Sequence, residues 1–123
     1  LLIAIIIGTF ARMSGFRDAY YIKAAKVRSL IIEEYKKLFK KYDCLISPVT
    51  PTVAPKFSDI KKMTPLQNYM ADIMTVGPNL AGIPHASVPI GFDGDMPIGL
   101  QIMSDHLSEG KIIQLGSVFE VEK

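Results

Sequence analysis

The stretch that decides the fold covers residues 75–102 and reads TVGPNLAGIPHASVPIGFDGDMPIGLQI. Five glycines and four prolines interrupt a mostly apolar sequence. Glycine permits positive φ and proline breaks regular hydrogen bonding, so their density predicts short elements with frequent ends. Two β-prone runs, residues 86–90 and 98–103, flank the pair Asp93-Gly94, which is typical of a tight turn. The stretch therefore predicts a hairpin or two neighbouring inner strands, with backbone passing close to other backbone or to a ligand.

Composition limits the class of protein. The chain has 123 residues, is 49% hydrophobic and has a mean hydropathy of +0.25. This length fits one domain or part of one, and a lone domain of this size buries only about two-thirds of the surface that its unfolded chain exposes. We therefore expect extra burial against other chain, and we interpret residues 1–123 as a piece of a larger protein.

The opening run LLIAIII, at residues 1–7, is too short to span a bilayer, which needs about 20 apolar residues. It also lacks the basic residues and the cleavage site of a signal peptide. Cys44 is the single cysteine, which excludes an internal disulfide and fits a reducing compartment. We expect a cytoplasmic protein with no membrane segment, and the net charge of +2 decides little about its partners.

The clearest helical pattern covers residues 18–41. Lysines are frequent in its second half, where the negative end of the helix dipole favours cations. This basic face is interpreted either as solvated surface or as an RNA contact, although RNA binding needs a more clustered patch. Apolar and aromatic residues recur at spacings of three and four, which predicts one buried stripe: Tyr20, Ala24, Val27, Ile31, Tyr35, Leu38 and Tyr42.

Shorter elements are predicted next to this helix. Residues 1–10 stay open between helix and strand. Residues 44–46 are typical of a short inner strand, and the prolines of residues 47–55 indicate an extended connector. Thr64-Pro65 predicts the start of a second helix.

That second helix is expected to run over residues 65–75 and to end at Gly77-Pro78, with a turn at residues 79–82. A final helix is predicted over residues 109–123, with Ser108 as its N-cap. Its apolar side is predicted from the 3.6-residue period: Ile112, Ile113, Leu115, Gly116 and Phe119.

Few residues suggest reactive chemistry. Cys44 is interpreted as a buried structural thiol, because no neighbour in sequence would activate it. His85 and His106 lie 21 residues apart without a Cys or His partner at ligand spacing, so no metal site is predicted. The sequence also lacks a nucleophile elbow, a P-loop and a dinucleotide fingerprint.

Asp72 is the candidate binding residue. It falls within the predicted helix of residues 65–75, between Met70 and Ile73, shortly before the glycine-rich stretch. A buried carboxylate among apolar neighbours requires a partner. Two interpretations stay open: Asp72 faces solvent or caps nearby backbone, or it receives a cationic group of a ligand in a cleft.

Several motifs together resemble the amidase signature family. The resemblance covers the chain from about Gly8 onward, and its nearest branch resembles the A subunits of glutamyl-tRNA(Gln) or aspartyl-tRNA(Asn) amidotransferases. The combination is specific, although each motif alone is weak. The motifs are DAYYIKAAKVR at residues 18–28, YDCLISPVTPT at 42–52, YMADIMTV at 69–76, NLAGIP at 79–84 and PIGLQI at 97–102.

The resemblance implies an α/β/α sandwich around a mixed sheet, with residues 1–123 as the C-terminal portion of a single amidase-signature domain. It implies a catalytic serine, a bridging serine and a lysine upstream of this chain, so no catalytic residue is assigned here and the fragment alone is expected to be inactive. It also implies that Asp72 holds the α-amino group of glutamine.

The same resemblance implies partners. The A-type protein would release ammonia from glutamine, and the B and C subunits would complete a complex that amidates a mischarged tRNA. ATP and Mg²⁺ would be held by a partner protein, so no cofactor is expected in this chain and its contact with tRNA is indirect.

Some positions depart from the family pattern. The family's usual arginine pair, one member of which grips the substrate carboxylate, is replaced by Ile3 and Ala4. Residues 76–79 read Val-Gly-Pro-Asn, where the family more usually has Val-Pro-x-Asn. His85 stands where a small residue is common in the family. Two alternatives follow: an amidase-signature hydrolase acting on another small amide, which the missing arginines favour, or a non-catalytic interaction module.

Overall fold

The computed structural model describes residues 2–13 and 15–119, and side chains from residue 5 onward within them. The elements follow in chain order: α1 (Leu2–Arg12), a π-helical turn (Arg17–Ile22), α2 (Lys23–Phe39), β1 (Leu45–Pro48), α3 (Phe57–Ile60), α4 (Pro65–Met70), α5 (Ile73–Ala81), β2 (His85–Asp93), β3 (Met96–Met103), α6 (Glu109–Gly116) and a 3₁₀ turn (Ser117–Phe119).

The three strands form one antiparallel sheet in the order β1-β3-β2. Strands β2 and β3 form the predicted hairpin, whose loop is the two-residue turn Gly94-Asp95. Gly94 has φ of +60°, and positive φ at the first loop residue is the geometry of a II′ hairpin. A bulge between Pro89 and Gly91 shifts the register of β2, at a proline that cannot donate to the ladder.

Helices cover both faces of the sheet. Successive side chains of a strand point to opposite faces, so Met103 and Ile102 of β3 lie on different sides. Met103 packs with Ala81 and Ile83, and α2 lies against this cluster. Ile102 faces α6, where its Cδ1 lies 3.9 Å from the place that a Cβ at Gly116 would occupy. The expected helix–sheet–helix layering is therefore confirmed, although the described strand pairs are all antiparallel.

The long amphipathic helix is present, and its first turn is π-helical. Ile31 and Tyr35 of the predicted stripe pack against the core cluster. Tyr20, Val27 and Tyr42 of the same stripe are more than half exposed among the described residues. The apolar period thus locates the helix correctly, and its second half, from Ile31 to Phe39, packs against the core. The opening segment, for which the sequence favours neither helix nor strand, is α1.

Two strand assignments need correction. The sequence predicts Ser47 and Pro48 in the connector, but they extend β1 and pair with Gln101 and Leu100. The sequence also predicts that β1 is an inner strand, and it is an edge strand of the described sheet. An edge position suits Pro48, which has no N–H for a second neighbour.

The prediction for the second helix is wrong in its C-terminal half. The structure divides this helix at Ala71-Asp72, where Asp72 has φ of −98° and ψ of 6° and α5 begins. Helix α5 then continues through Gly77-Pro78, the expected end, and includes the predicted turn up to Ala81. Proline keeps a helical φ and costs one backbone hydrogen bond, which packing against α2 offsets.

Side-chain capping explains where α4 begins, but not where α6 begins. Thr64 forms the predicted N-cap: its Oγ1 accepts from the Gln67 N–H at 3.2 Å, and Gln67 Oε1 accepts from the Thr64 N–H at 2.8 Å. This reciprocal capping box goes beyond the sequence prediction, which included only the cap itself. Ser108 precedes α6 as predicted, but its side chain makes no capping hydrogen bond.

The final helix is shorter than predicted. The α-helix ends at Gly116, a 3₁₀ turn follows to Phe119, and residues 120–123 lie outside the described part of the chain. Ile112 is buried as expected, whereas Ile113 is 72% exposed and does not belong to the core-facing side. Adjacent helical residues point about 100° apart, so Ile113 can be exposed while Ile112 is buried.

Gly82→Ala is expected to lower the free energy of unfolding by about 1 kcal/mol, because Gly82 ends α5 in the left-handed conformation at φ of +71°. Urea unfolding of the full-length gene product measures this change. Gly110→Ala in α6 is the matched control, since Gly110 has open space around its would-be Cβ and no left-handed φ. Equal unfolding midpoints for both variants would contradict the prediction.

Candidate functional site

Asp72 stands at the junction between α4 and α5. Its backbone carbonyl accepts hydrogen bonds from the Thr75 N–H at 3.1 Å and from Thr75 Oγ1 at 3.0 Å. Its side chain is exposed and makes no capping hydrogen bond to the first turn of α5. The backbone at this position is therefore fixed, while the carboxylate stays available to a cation. Of the two interpretations from sequence, capping of this helix is wrong and a solvent-facing or ligand-facing carboxylate remains.

A groove of about 420 Å³ has Ala71, the residue before Asp72, in its lining. We call it the connector groove, and its lining comprises residues 49–55 of the connector, Ala71, Ser87 and Pro89 of β2, and residues 97–99 of β3. Most of the lining is apolar, with hydroxyl groups from Thr50, Thr52 and Ser87. An apolar cleft with a few polar groups is typical of a small-molecule site, and Asp72 is the next residue along the chain from its lining residue Ala71.

Gly99 leaves little free space at its position in the lining of the connector groove. A Cβ at Gly99 would lie 2.8 Å from Ser87 Oγ and 3.0 Å from Val49 Cγ2, so a larger residue here would displace these side chains. Gln101 lies two residues after Gly99 on β3 and therefore on the same face of the sheet. Its buried Oε1 accepts a hydrogen bond of 3.0 Å from Ser47 Oγ. Sequence reasoning missed this polar pair, because it depends on strand register that local patterns do not reveal.

A larger groove, about 800 Å³, lies between α2 and the end of α5. Arg28, Lys36 and Lys40 line it together with Asp105 and His106. Three cations on one helix face give it a basic character, but Asp105 interrupts the patch. This groove lies away from Asp72 in the fold, and the contact of the basic face with RNA stays a prediction.

The other candidate residues lie apart from Asp72. Cys44 is half-buried beside the ion pair of Asp43 and Lys111, whose Nζ donates to the carboxylate at 2.7 Å and lowers the pKa of Asp43. His85 Nδ1 lies 3.2 Å from the Ile83 carbonyl oxygen. His106 Nδ1 lies 3.5 Å from Oδ1 of its neighbour Asp105. Within residues 2–13 and 15–119, no three His, Cys, Asp or Glu side chains come together as a metal site.

Ile3 and Ala4 stand where the family resemblance implies a pair of arginines, one of which would bind the substrate carboxylate. Their side chains lie outside the part of the chain that the structure describes. The inference that they alter carboxylate binding therefore stays a prediction from the sequence.

Comparison with known proteins places the chain in a family. The sequence profile of the family described as Amidase matches residues 2–113. The chain belongs to the amidase family. The resemblance noted in the sequence motifs is thereby confirmed over nearly the whole chain.

Similar amidase-family sequences carry one recurring name. The chain is 51% identical over 117 residues to the A subunit of glutamyl-tRNA(Gln) amidotransferase from Halothermothrix orenii, covering 94% of the chain and 24% of that protein. It is 48% identical to the protein of the same name from Halalkalibacterium halodurans, with the same two coverages. The chain thus spans about a quarter of the length of these relatives.

Solved structures agree with the family assignment. The A subunit of glutamyl-tRNA(Gln) amidotransferase from Thermotoga maritima superimposes with a TM-score of 0.74 at 39% identity, covering 90% of this chain and 24% of that one. Allophanate hydrolase of Kluyveromyces lactis gives 0.76 at 27% identity, with coverages of 95% and 18%. The expected α/β class is confirmed by these neighbours. No helix in the described residues is long and apolar enough to cross a bilayer.

Proposed function

We propose that this amidase-family chain forms part of the glutaminase (A) subunit of a glutamine-dependent aminoacyl-tRNA amidotransferase. The complex would release ammonia from glutamine and convert Glu-tRNA(Gln) to Gln-tRNA(Gln) in the cytoplasm. The observation that carries this proposal is identity of about one half, over nearly the whole chain, to proteins with that name. The matched region includes the segment around Asp72 and the connector groove.

The role of this chain is to hold the substrate. The exposed carboxylate of Asp72 has a fixed backbone and no internal capping partner, so it can accept the α-ammonium group of glutamine. A charge-assisted hydrogen bond of this kind orients the substrate without entering the bond chemistry. The connector groove beside it would accommodate the aliphatic part of a small amide substrate.

The bond chemistry belongs to residues outside this chain. A serine nucleophile would attack the side-chain amide carbon, and the C–N bond would break as the leaving nitrogen takes up a proton and departs as ammonia. Water would then hydrolyse the acyl-enzyme to glutamate and free the serine. A second serine and a lysine would supply and return the protons. ATP and Mg²⁺ would be held by a partner protein, and the B and C subunits would complete the complex.

Extensive apolar surface supports a partner for this chain. Large side chains are exposed on several elements, including Phe57 at 89%, Leu66 at 68% and Leu30 at 62%. Monomeric proteins seldom leave so many large apolar side chains uncovered. We propose that the remainder of the amidase domain covers much of this surface.

The test is an assay of the full-length gene product with and without its candidate partners. We expect ammonia release from glutamine and, when the partners, ATP, Mg²⁺ and Glu-tRNA(Gln) are supplied, formation of Gln-tRNA(Gln). Ammonia release from other small amides, with none from glutamine, would overturn the proposal.

That contrary outcome would favour the second candidate, an amidase-family hydrolase of another amide. Its support is the TM-score of 0.76 with allophanate hydrolase, as high as the score with the amidotransferase protein, together with Ile3 and Ala4 at the expected arginine positions. The much lower sequence identity of 27% places it second.

A further inference from the structure

Helix α5 packs against α2 at Gly77. A Cβ at this position would lie 2.8 Å from the Tyr35 Oη, closer than real Cβ contacts come. The ring atoms Cε2 and Cζ of Tyr35 would lie at 3.7 Å, which is ordinary contact. Tyr35 therefore limits how near α5 comes to α2, and its hydroxyl oxygen is the atom that a side chain at position 77 would meet first.

Tyr35 is itself held in place. Its ring stacks on that of Phe39 with 6.2 Å between centroids, and both rings pack against the core cluster around Met103. Burial raises the pKa of the Tyr35 hydroxyl. A side chain packed in this way resists displacement, so bulk added at Gly77 would also move α5.

A second contact ties the same two helices together. Arg28 Nε donates a hydrogen bond of 2.7 Å to the Leu80 carbonyl oxygen, in the last turn of α5. Arg28 and Tyr35 lie seven residues apart, which is two helical turns, so they project from one side of α2. Helix α5 is thus supported at its middle and at its end by one face of α2.

Asp72 immediately precedes this supported helix. Gly77 lies five residues further on, about 7 Å along the axis at the α-helical rise. We infer that Tyr35 is a positioning residue for the glutamine site: its contact with Gly77 sets where the Asp72 carboxylate stands. This inference rests on the proposed role of Asp72, and it assigns Tyr35 no contact with substrate.

Gly77→Ala in the full-length, assembled enzyme tests the inference. We expect the KM for glutamine to rise about tenfold while kcat changes less than about threefold, because a misplaced binding group weakens substrate and transition state alike. Gly110→Ala is the matched control, a helical glycine with nothing within 4 Å of its would-be Cβ, and should leave both constants unchanged.

Tyr35→Phe supplies the rescue. This change removes the Oη that a Cβ at Gly77 would meet and keeps the ring, so the double variant G77A/Y35F should recover a KM within about twofold of the unmodified enzyme. A loss of active enzyme through unfolding would lower kcat and leave KM unchanged, so the KM separates positioning from stability. Failure of Tyr35→Phe to lower the raised KM would overturn the inference.

Two further outcomes separate this inference from the proposed function. An unchanged KM in Gly77→Ala, with a raised KM in Asp72→Asn, would overturn the positioning role of Tyr35 and leave the proposed function intact. An unchanged KM in Asp72→Asn would overturn both. If Gly77→Ala does not fold, Tyr35→Leu removes the support without adding bulk, and an unchanged KM there would also overturn the inference.

Discussion

Asp72→Asn is expected to lower kcat/KM for glutamine about 100-fold, with most of the change in KM. The substitution keeps the shape of the side chain and removes the negative charge that would pair with the α-ammonium group. Hydrogen bonds to charged groups contribute about 1.5–3 kcal/mol, which corresponds to roughly 10- to 150-fold in affinity. Steady-state ammonia release by the assembled, full-length enzyme measures the two constants separately.

A substrate lacking the amino group isolates this interaction. The des-amino analogue 4-carbamoylbutanoate has the same side-chain amide, and we expect the unmodified enzyme and Asp72→Asn to hydrolyse it with equal kcat/KM. Asp95→Asn serves as the control, because Asp95 is an exposed aspartate in the hairpin loop. Equal loss for glutamine and its des-amino analogue would show that Asp72 acts on structure and does not recognise the amino group.

Sequence patterns predict the elements whose signals are local. The recurrence of apolar residues locates α2, and Asp93-Gly94 locates the hairpin, because each pattern has one strong structural solution. The cap at Thr64 follows from side-chain chemistry within four residues. These features need no knowledge of the rest of the fold.

The errors arise where packing overrides local preference. Gly77-Pro78 indicates the end of a helix, yet α5 continues through both residues because Gly77 allows close contact with Tyr35, which lies 42 positions earlier in the chain. The break at Asp72 shows no glycine or proline signal, so local patterns miss it. The buried pair of Ser47 and Gln101 likewise depends on register between strands far apart in sequence.

The sequence predicts one residue of the candidate site and misses the groove next to it. Chemical reasoning selects Asp72 as an unusual carboxylate, but only the family resemblance supplies a ligand for it. No local signal marks the connector groove, since its walls come from residues 49–55, Ala71 and the hairpin. A cleft assembled from separate segments becomes visible only once the sheet order is known.

Ile112→Ala is expected to lower the free energy of unfolding by about 3 kcal/mol. Ile112 is 6% exposed in α6, which packs on β2 and β3, and truncation of a buried isoleucine loses transfer free energy and leaves a cavity. Ile113→Ala, at the adjacent position of the same helix, should cost less than about 0.5 kcal/mol, because Ile113 is 72% exposed and alanine has the higher helix propensity.

This pair tests the packing of α6 directly, since both variants remove the same atoms from the same helix. Urea unfolding of the full-length gene product gives the two free-energy changes under one condition. A larger loss at Ile113 than at Ile112 would mean that α6 presents its other side to the core. Because α6 covers the sheet face opposite α2, that result would contradict the described packing of this helix on β2 and β3.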